Sequence, residues 1–320
     1  MPSQSMSQAV SALFLIVFVS SLLGCVAFTV LLRRWPQFTY PLALACVFEI
    51  IGYGIRCVIA TRDDWSAQLF VVITIFLTIA PSFVSMAMYT TIERTLLILG
   101  KEHSLIRPKW YFYLVWADLA GLVIQIVGLG LALSGIKSKE VMGPLANSGG
   151  VVVAMGIGLH AATLAVFMVL FAIALCQAYV TYRQYGSTTA DVDLGVVGLN
   201  SGKALTRRFK GYLLIVALAV VCLLVRDLYR TIGLAQGFTT ANVSVADFAL
   251  LDGFLVAEAV LGLVAFHPAW VLTEGYKPEP DQPLQQQQQQ QHQQGKEIIG
   301  LGGITRIIRI SRVISYNAHR

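Results

Sequence analysis

Charge is what this sequence has least of. Only 12% of its 320 residues are Asp, Glu, Lys or Arg, about half the share of a water-facing domain, so the chain lacks the polar surface to meet water on all sides. Cysteine is scarce too. Cys25, Cys46, Cys57, Cys176 and Cys222 are odd in number, form no C-x-x-C pair and all fall in apolar stretches. That argues against a disulfide framework or a Cys/His metal site and leaves them as small packing residues. No glycine-rich phosphate loop, clustered histidine pair or G-x-S-x-G elbow occurs. An enzyme is therefore the reading with least support, no cofactor or metal is implied, and any active transport must draw on an ion gradient or a partner ATPase.

What the chain has in abundance is apolar residues, 56% of the total. Seven stretches, at about 9–32, 40–60, 68–98, 110–134, 149–178, 211–232 and 246–272, approach or exceed the roughly 20 apolar residues that cross a bilayer as a helix. They are long and continuously apolar rather than short and alternating, which predicts helices and not barrel strands. The expected fold is all-α, a polytopic bundle of seven transmembrane helices. The first stretch is expected to be a true span rather than a cleaved leader, since no Lys or Arg precedes it, no A-x-A-like site follows and it is too long for an h-region.

Lys and Arg in the connections set the orientation. One side collects Arg33 and Arg34, Lys101, Arg107 and Lys109, the group from Arg183 to Lys210, and the tail cations. Sixteen on that side face three on the other, Arg62, Lys137 and Lys139. The amino terminus is expected outside and the carboxyl terminus in the cytosol. Asn242-Val243-Ser244 then sits in an outer connection, where a glycan can be added. The net charge of +6 follows from cytosolic loops facing anionic lipid and needs no nucleic-acid partner.

The domain organisation expected is a transmembrane domain over 1–275 and a cytosolic tail over 276–320. The longest cytosolic connection runs from about Tyr182 to Lys210 and ends in the basic GKALTRRFK. After Trp270 the composition shifts to KPEPDQP and a glutamine tract that cannot build a core. Beyond it, Arg306, Arg309 and Arg312 alternate with isoleucines, either as a membrane-surface helix or as a disordered end.

Charges inside the spans are the candidate site, because an ionised group in hydrocarbon costs a few kcal/mol or more and needs a partner or water. Counting residues along straight helices puts Glu49, Asp118 and Glu258 in the cytosolic half, and Arg56, Arg226, Asp227, Arg230 and Asp252 in the outer half. Glu49 and Arg56 share a face of helix two but lie about 10 Å apart along the axis. Arg226 and Arg230, at i and i+4 on helix six, are expected to meet Asp252 of helix seven, with Arg56 nearby, either to tie helices together or to bind a ligand. The inner carboxylates have no cation at their level. They remain open to binding a cationic head group, carrying protons, or being neutral and hydrogen-bonded. Gln125, one heptad after Asp118, and His160 add polar groups. Pro81 is expected to kink helix three and free a carbonyl, and GLGLALSG and GIGL to let helices four and five approach closely.

These positions form a pattern. E-x-x-G-Y-x-x-R at Glu49 to Arg56, A-P-S-F-x-S-x-A-x-Y at Ala80 to Tyr89 followed by Arg94, and D-x6-Q-x-x-G at Asp118 to Gly128 come first. Arg226 with Tyr229-Arg230 and Gln236-Gly237, and Asp252 before His267-Pro268, complete it. In that order the chain resembles the RTA-like family of fungal seven-span proteins, also called lipid-translocating exporters. It departs from the family where Gly233 replaces a usual Glu, at Val245 to Asp247 where an acidic opening of helix seven has no clear match, and at His160 where Gln is common. The resemblance implies efflux or transbilayer movement of sphingoid long-chain bases and tolerance of membrane-active amphiphiles. It further implies membrane lipids as partners, with sterol analogues or haem as further cargo among relatives, and a plasma-membrane or endomembrane setting.

Two functions follow as expectations. One is a transporter of cationic amphiphilic lipids that holds the amine at Glu49, Asp118 and Glu258. The other is a seven-helix lipid or sterol sensor that signals through the cytosolic loop and tail.

Overall fold

The computed structural model describes residues 2–32, 35–62, 66–99, 104–106, 108–136, 143–185, 207–236 and 249–271. The chain divides into two units, Met1–Gly275 and Tyr276–Arg320. The second, with the glutamine tract and the basic segment, lies outside the described residues, as do Asn242 and residues 186–206.

Every regular element among the described residues is helical: α1 (Pro2–Leu32), α2 (Pro36–Arg62), α3 (Ala67–Leu99), a 3-10 turn (Pro108–Tyr111), α4 (Phe112–Ser134), α5 (Pro144–Tyr185) and α6 (Arg207–Ala235). A π-helical turn (Ala249–Phe254), α7 (Leu255–Ala265) and α8 (Pro268–Val271) together make the last span. Seven helical segments are long and apolar enough to cross a membrane, in agreement with the sequence. Proline opens α2, α5 and α8, where its fixed φ suits the first turn and its missing N–H has no partner to lose. Pro41 lies inside α2. The Gln37 carbonyl that it cannot serve instead faces the Thr90 hydroxyl of α3, 3.3 Å away.

The outward faces stay apolar, as shown by Leu13, Ile16 and Leu23 of α1 and Val123 and Ile126 of α4, all exposed. Lipid, not water, is their solvent, so polarity turns inward. Ser82, Ser85, Glu49, Asp118, His160, Arg226, Asp227 and Asp252 are all buried.

A glycine seam joins α4 to α5. Gly121 and Gly128 of α4 and Gly135 at its C-cap repeat every seven residues, the first two meeting Gly156 and Gly149 of α5 and the third meeting Ala146. A Cβ on Gly128 would stand 2.6 Å from the Val153 nitrogen, and one on Gly149 2.5 Å from the Ala132 nitrogen. Those neighbours are backbone atoms that cannot turn aside, so only glycine permits the spacing. Of the glycines in GLGLALSG and GIGL, Gly130 and Gly158 are not part of this contact, since an added Cβ at Gly130 meets open space and at Gly158 only the tip of Thr231.

One end of the bundle is fixed by Trp35 and His267. Trp35 adopts a left-handed backbone, φ 63°, which costs a non-glycine residue about 1–2 kcal/mol. Its carbonyl accepts the Phe38 and Thr39 N–H groups and the Thr39 hydroxyl, while the Arg94 guanidinium lies over its ring. His267 accepts the Ala269 N–H at Nδ1, so Nε2 carries the hydrogen and donates to Thr39 Oγ1 at 3.1 Å. Stacked on Phe28 and edge-on to Phe38, this histidine is a structural pin.

Candidate functional site

Arg226 is the largest fully buried side chain, 1% exposed. Its position on α6 sends Nε to Asp252 Oδ1 at 2.9 Å and one terminal nitrogen to Asp227 Oδ1 at 3.1 Å. The other terminal nitrogen donates to the Leu77 carbonyl of α3 at 2.6 Å. That carbonyl is the one Pro81, four residues on, cannot serve, so the proline creates the acceptor that the arginine uses. Arg230, one turn further, donates Nε to Asp252 Oδ1 at 2.8 Å and a terminal nitrogen to Oδ2. Asp252 thus receives both arginines from within the π-helical turn, whose wider winding sets this carboxylate on the α6 side. Arg56 lies within electrostatic reach of Asp252 and Arg230.

Asp118 belongs to a second group. Its carboxylate accepts the Ser85 hydroxyl at 2.6 Å and the Thr163 hydroxyl, and His160 Nε2 stands 3.3 Å away. His160 Nδ1 lies 2.7 Å from Asp227 Oδ2. Because Asp227 also holds Arg226, the two groups join into one buried chain across α3, α4, α5, α6 and the last span: Asp118, His160, Asp227, Arg226, Asp252, Arg230. The bulk of this chain faces no lipid. Sequence reasoning named Asp227 among the outer charges and His160 as an interior polar group but gave neither a partner, and it did not single out Ser85 or Thr163. The available signal was the adjacency of Arg226 and Asp227. Neighbouring helix residues point about 100° apart, so an arginine turned toward helix seven leaves its neighbour turned toward helix five, where His160 is the polar residue.

Glu49 stands apart from both in its chemistry. It is 2% exposed on α2, yet no hydrogen bond or ion pair reaches it among the described residues. The charges that act on it are Asp252, Arg226 and Arg230. Cations therefore lie within electrostatic reach of Glu49, where none was expected at its level. Straight-axis counting ignores helix tilt and the π-turn that repositions Asp252. Tyr53, one turn from Glu49, stacks against Phe18 and fills the space over Gly253, where an added Cβ would come within 2.7 Å of its hydroxyl. The face of α2 that bears Glu49 therefore fronts the last span.

Glu258 is half-buried beside Cys222, and no interaction joins Glu49, Asp118 and Glu258 among the described residues. Gln125 is buried with its amide oxygen lacking a hydrogen-bond partner there, its Cγ packed under Gly156. Among the described residues no group of His, Cys, Asp and Glu has metal-binding geometry.

Seven membrane-crossing helices enclosing a paired charge network define an integral, multi-pass membrane protein. Residues 42–275 match the family model described as RTA1 like protein, and the chain belongs to the RTA1-like family. It is similar to the sphingoid long-chain base transporter RSB1 of Saccharomyces cerevisiae. With the protein of strain Lalvin EC1118 / Prise de mousse it shares 26% identity over 255 residues, 73% of this chain and 65% of the relative. With those of strains JAY291 and ATCC 204508 / S288c identity is 25% over the same coverage. The chain therefore spans somewhat less than two thirds of the length of these relatives. No solved structure matches it.

Proposed function

We propose that this chain moves cationic amphiphilic lipids of the sphingoid long-chain base kind across a bilayer, with Glu49 receiving the amine. One observation carries the reading. Asp118, Asp227 and Asp252 are buried and each is held by donors, whereas Glu49 is equally buried and has no donor among the described residues. A carboxylate left so in a low-dielectric interior is strongly penalised unless a cation or proton joins it. A long-chain base brings one positive group and an alkyl tail, and the exposed apolar faces of the helices suit that tail. The relatives' names speak for this cargo rather than for sterol or haem. The cationic loops support an outer amino terminus, in a plasma membrane or endomembrane.

The test is movement of a fluorescent long-chain base in liposomes that hold the purified protein and nothing else. Wild type is expected to speed movement and Glu49→Gln to abolish it, with the thermal unfolding of the variant unchanged. Retained movement in the variant refutes the role of Glu49. Binding of the base without movement supports the sensor reading instead.

A further inference from the structure

We infer that Asp118, His160 and Asp227 form a proton-binding site, and that its proton exchanges against the cation at Glu49. The second half rests on the transport reading; the first does not.

The contacts around the imidazole favour a positive ring, with an acceptor or a carboxylate oxygen beside each nitrogen. Ser85 has one hydroxyl hydrogen and three neighbours in reach, Asp118 Oδ2 at 2.6 Å, the Ser82 carbonyl at 2.8 Å and His160 Nε2 at 3.0 Å; with the hydrogen on the nearest of them, the carboxylate, Ser85 offers Nε2 a lone pair. Asp118 Oδ2 lies beyond at 3.3 Å. An unprotonated Nε2 would face a lone pair and a carboxylate together. On the other side Nδ1 stands 2.7 Å from Asp227 Oδ2 as an ion-pair contact, a separation at which an imidazolium is attracted by the carboxylate charge. A neutral imidazole supplies one hydrogen. The three residues therefore hold one proton more than two carboxylates and a neutral ring possess.

The surroundings agree. In contact with His160 are Asp118 from α4, Asp227 from α6 and Ser85 from α3, and next to these stand Arg226 beside Asp227, Tyr89 and Thr163 beside Asp118, and Gln125 one turn away against Gly156. Tyr89 lies beside Asp118 and Thr163, though its hydroxyl makes no hydrogen bond among the described residues. Arg226 is the one cation in this set, and it is shared with Asp252. Along the directly contacting chain three carboxylates meet two guanidiniums, with Arg56 a third cation in electrostatic reach of Asp252.

Coupling follows from shared partners. When the proton leaves His160, Asp227 keeps its charge and draws more strongly on Arg226, which weakens the hold of Arg226 on Asp252 and removes positive field from the region of Glu49. A cation at Glu49 is then bound more tightly. By reciprocity, a cation bound there loosens the proton. The sign is that of exchange: cation affinity rises as the proton departs, and proton and lipid travel in opposite directions. No nucleotide is needed.

Two measurements on the full chain in liposomes test this. The first is nitrogen NMR of 15N-histidine-labelled wild type, which needs no variant. One ring among the five histidines is expected to remain doubly protonated at about pH 8, when an ordinary histidine is neutral. Five neutral rings overturn the proton site. The second is the flux of a fluorescent long-chain quaternary ammonium probe, whose charge does not titrate, with and without an imposed pH gradient. Proton concentration changes tenfold per pH unit, so a gradient of about one unit is expected to change wild-type flux by up to about tenfold. In His160→Gln the ratio of the two rates is expected to fall to one. Wild-type flux indifferent to the gradient, or a His160→Gln ratio equal to that of wild type, overturns the exchange. Absence of flux in wild type refutes transport itself and leaves the NMR result to decide the proton site.

Discussion

Replacing Asp252 by Asn tests the charge network most directly. The carboxylate accepts from Nε of Arg226 at 2.9 Å, from Nε of Arg230 at 2.8 Å and from a terminal nitrogen of Arg230. The side chains of Asp252, Arg226 and Arg230 are 2%, 1% and 12% exposed, so solvent screens little of the interaction. Removing one partner of a buried ion pair costs about 3–5 kcal/mol because the other charge is left uncompensated. Asn retains one accepting oxygen, and Glu49 is within reach of both arginines as a substitute counter-ion, so we expect the lower end, about 3 kcal/mol. At a few degrees per kcal/mol for a chain of this size, that lowers Tm by about 6–12 °C. A thiol-reactive dye reads it during heating, since Cys25, Cys46 and Cys222 are buried until the bundle opens. Glu49→Gln alone is expected to leave Tm within about 2 °C, because no bond is lost. The double variant removes the substitute as well and should exceed the sum of the singles by about 1–2 kcal/mol. Additive effects, or an Asp252→Asn protein as stable as wild type, refute the reasoning.

Two further outcomes can be checked in the same assays. Gly128→Val places side-chain carbons against the Val153 and Gly149 backbones, forcing α4 from α5, and is expected to cost at least about 1–3 kcal/mol, whereas Gly130→Ala, which meets open space, is expected to leave Tm unchanged. Pro81→Ala returns an N–H to α3 that competes with Arg226 for the Leu77 carbonyl. Helix stability should hold or rise, since proline inside a helix costs about 3 kcal/mol, while lipid movement in liposomes slows.

The membrane-spanning architecture was legible because it depends on length and hydropathy, which are local. Arg226, Arg230 and Asp252 were legible too, since an i, i+4 pair and one acidic residue on the next helix leave few arrangements. The placement of Asp118 was not. Its partner depends on how α4 and α5 are rotated about their axes, and periodicity within one helix carries no information about that. The electrostatic reach of Arg226 and Arg230 to Glu49 was not legible for a related reason, since depth counted at a fixed rise assumes upright helices with uniform winding, and the turn around Asp252 is wound wider. Pro81 announced a freed carbonyl at Leu77 in the sequence itself, but that Arg226 would take it required three helices to be seen together.

The heptad-spaced glycines of α4 and α5 have a mechanical meaning. Backbones in such close touch cannot slide or rotate against each other without collision, so these two helices behave as a single rigid block that carries Asp118 and His160 at constant separation. A carrier that opens first to one side and then to the other needs a plane along which its halves part. That block meets the rest of the bundle at two polar joints, His160 with Asp227 of α6 and Asp118 with Ser85 of α3. Any relative movement of the block must stretch or break those two joints before it strains the glycine seam.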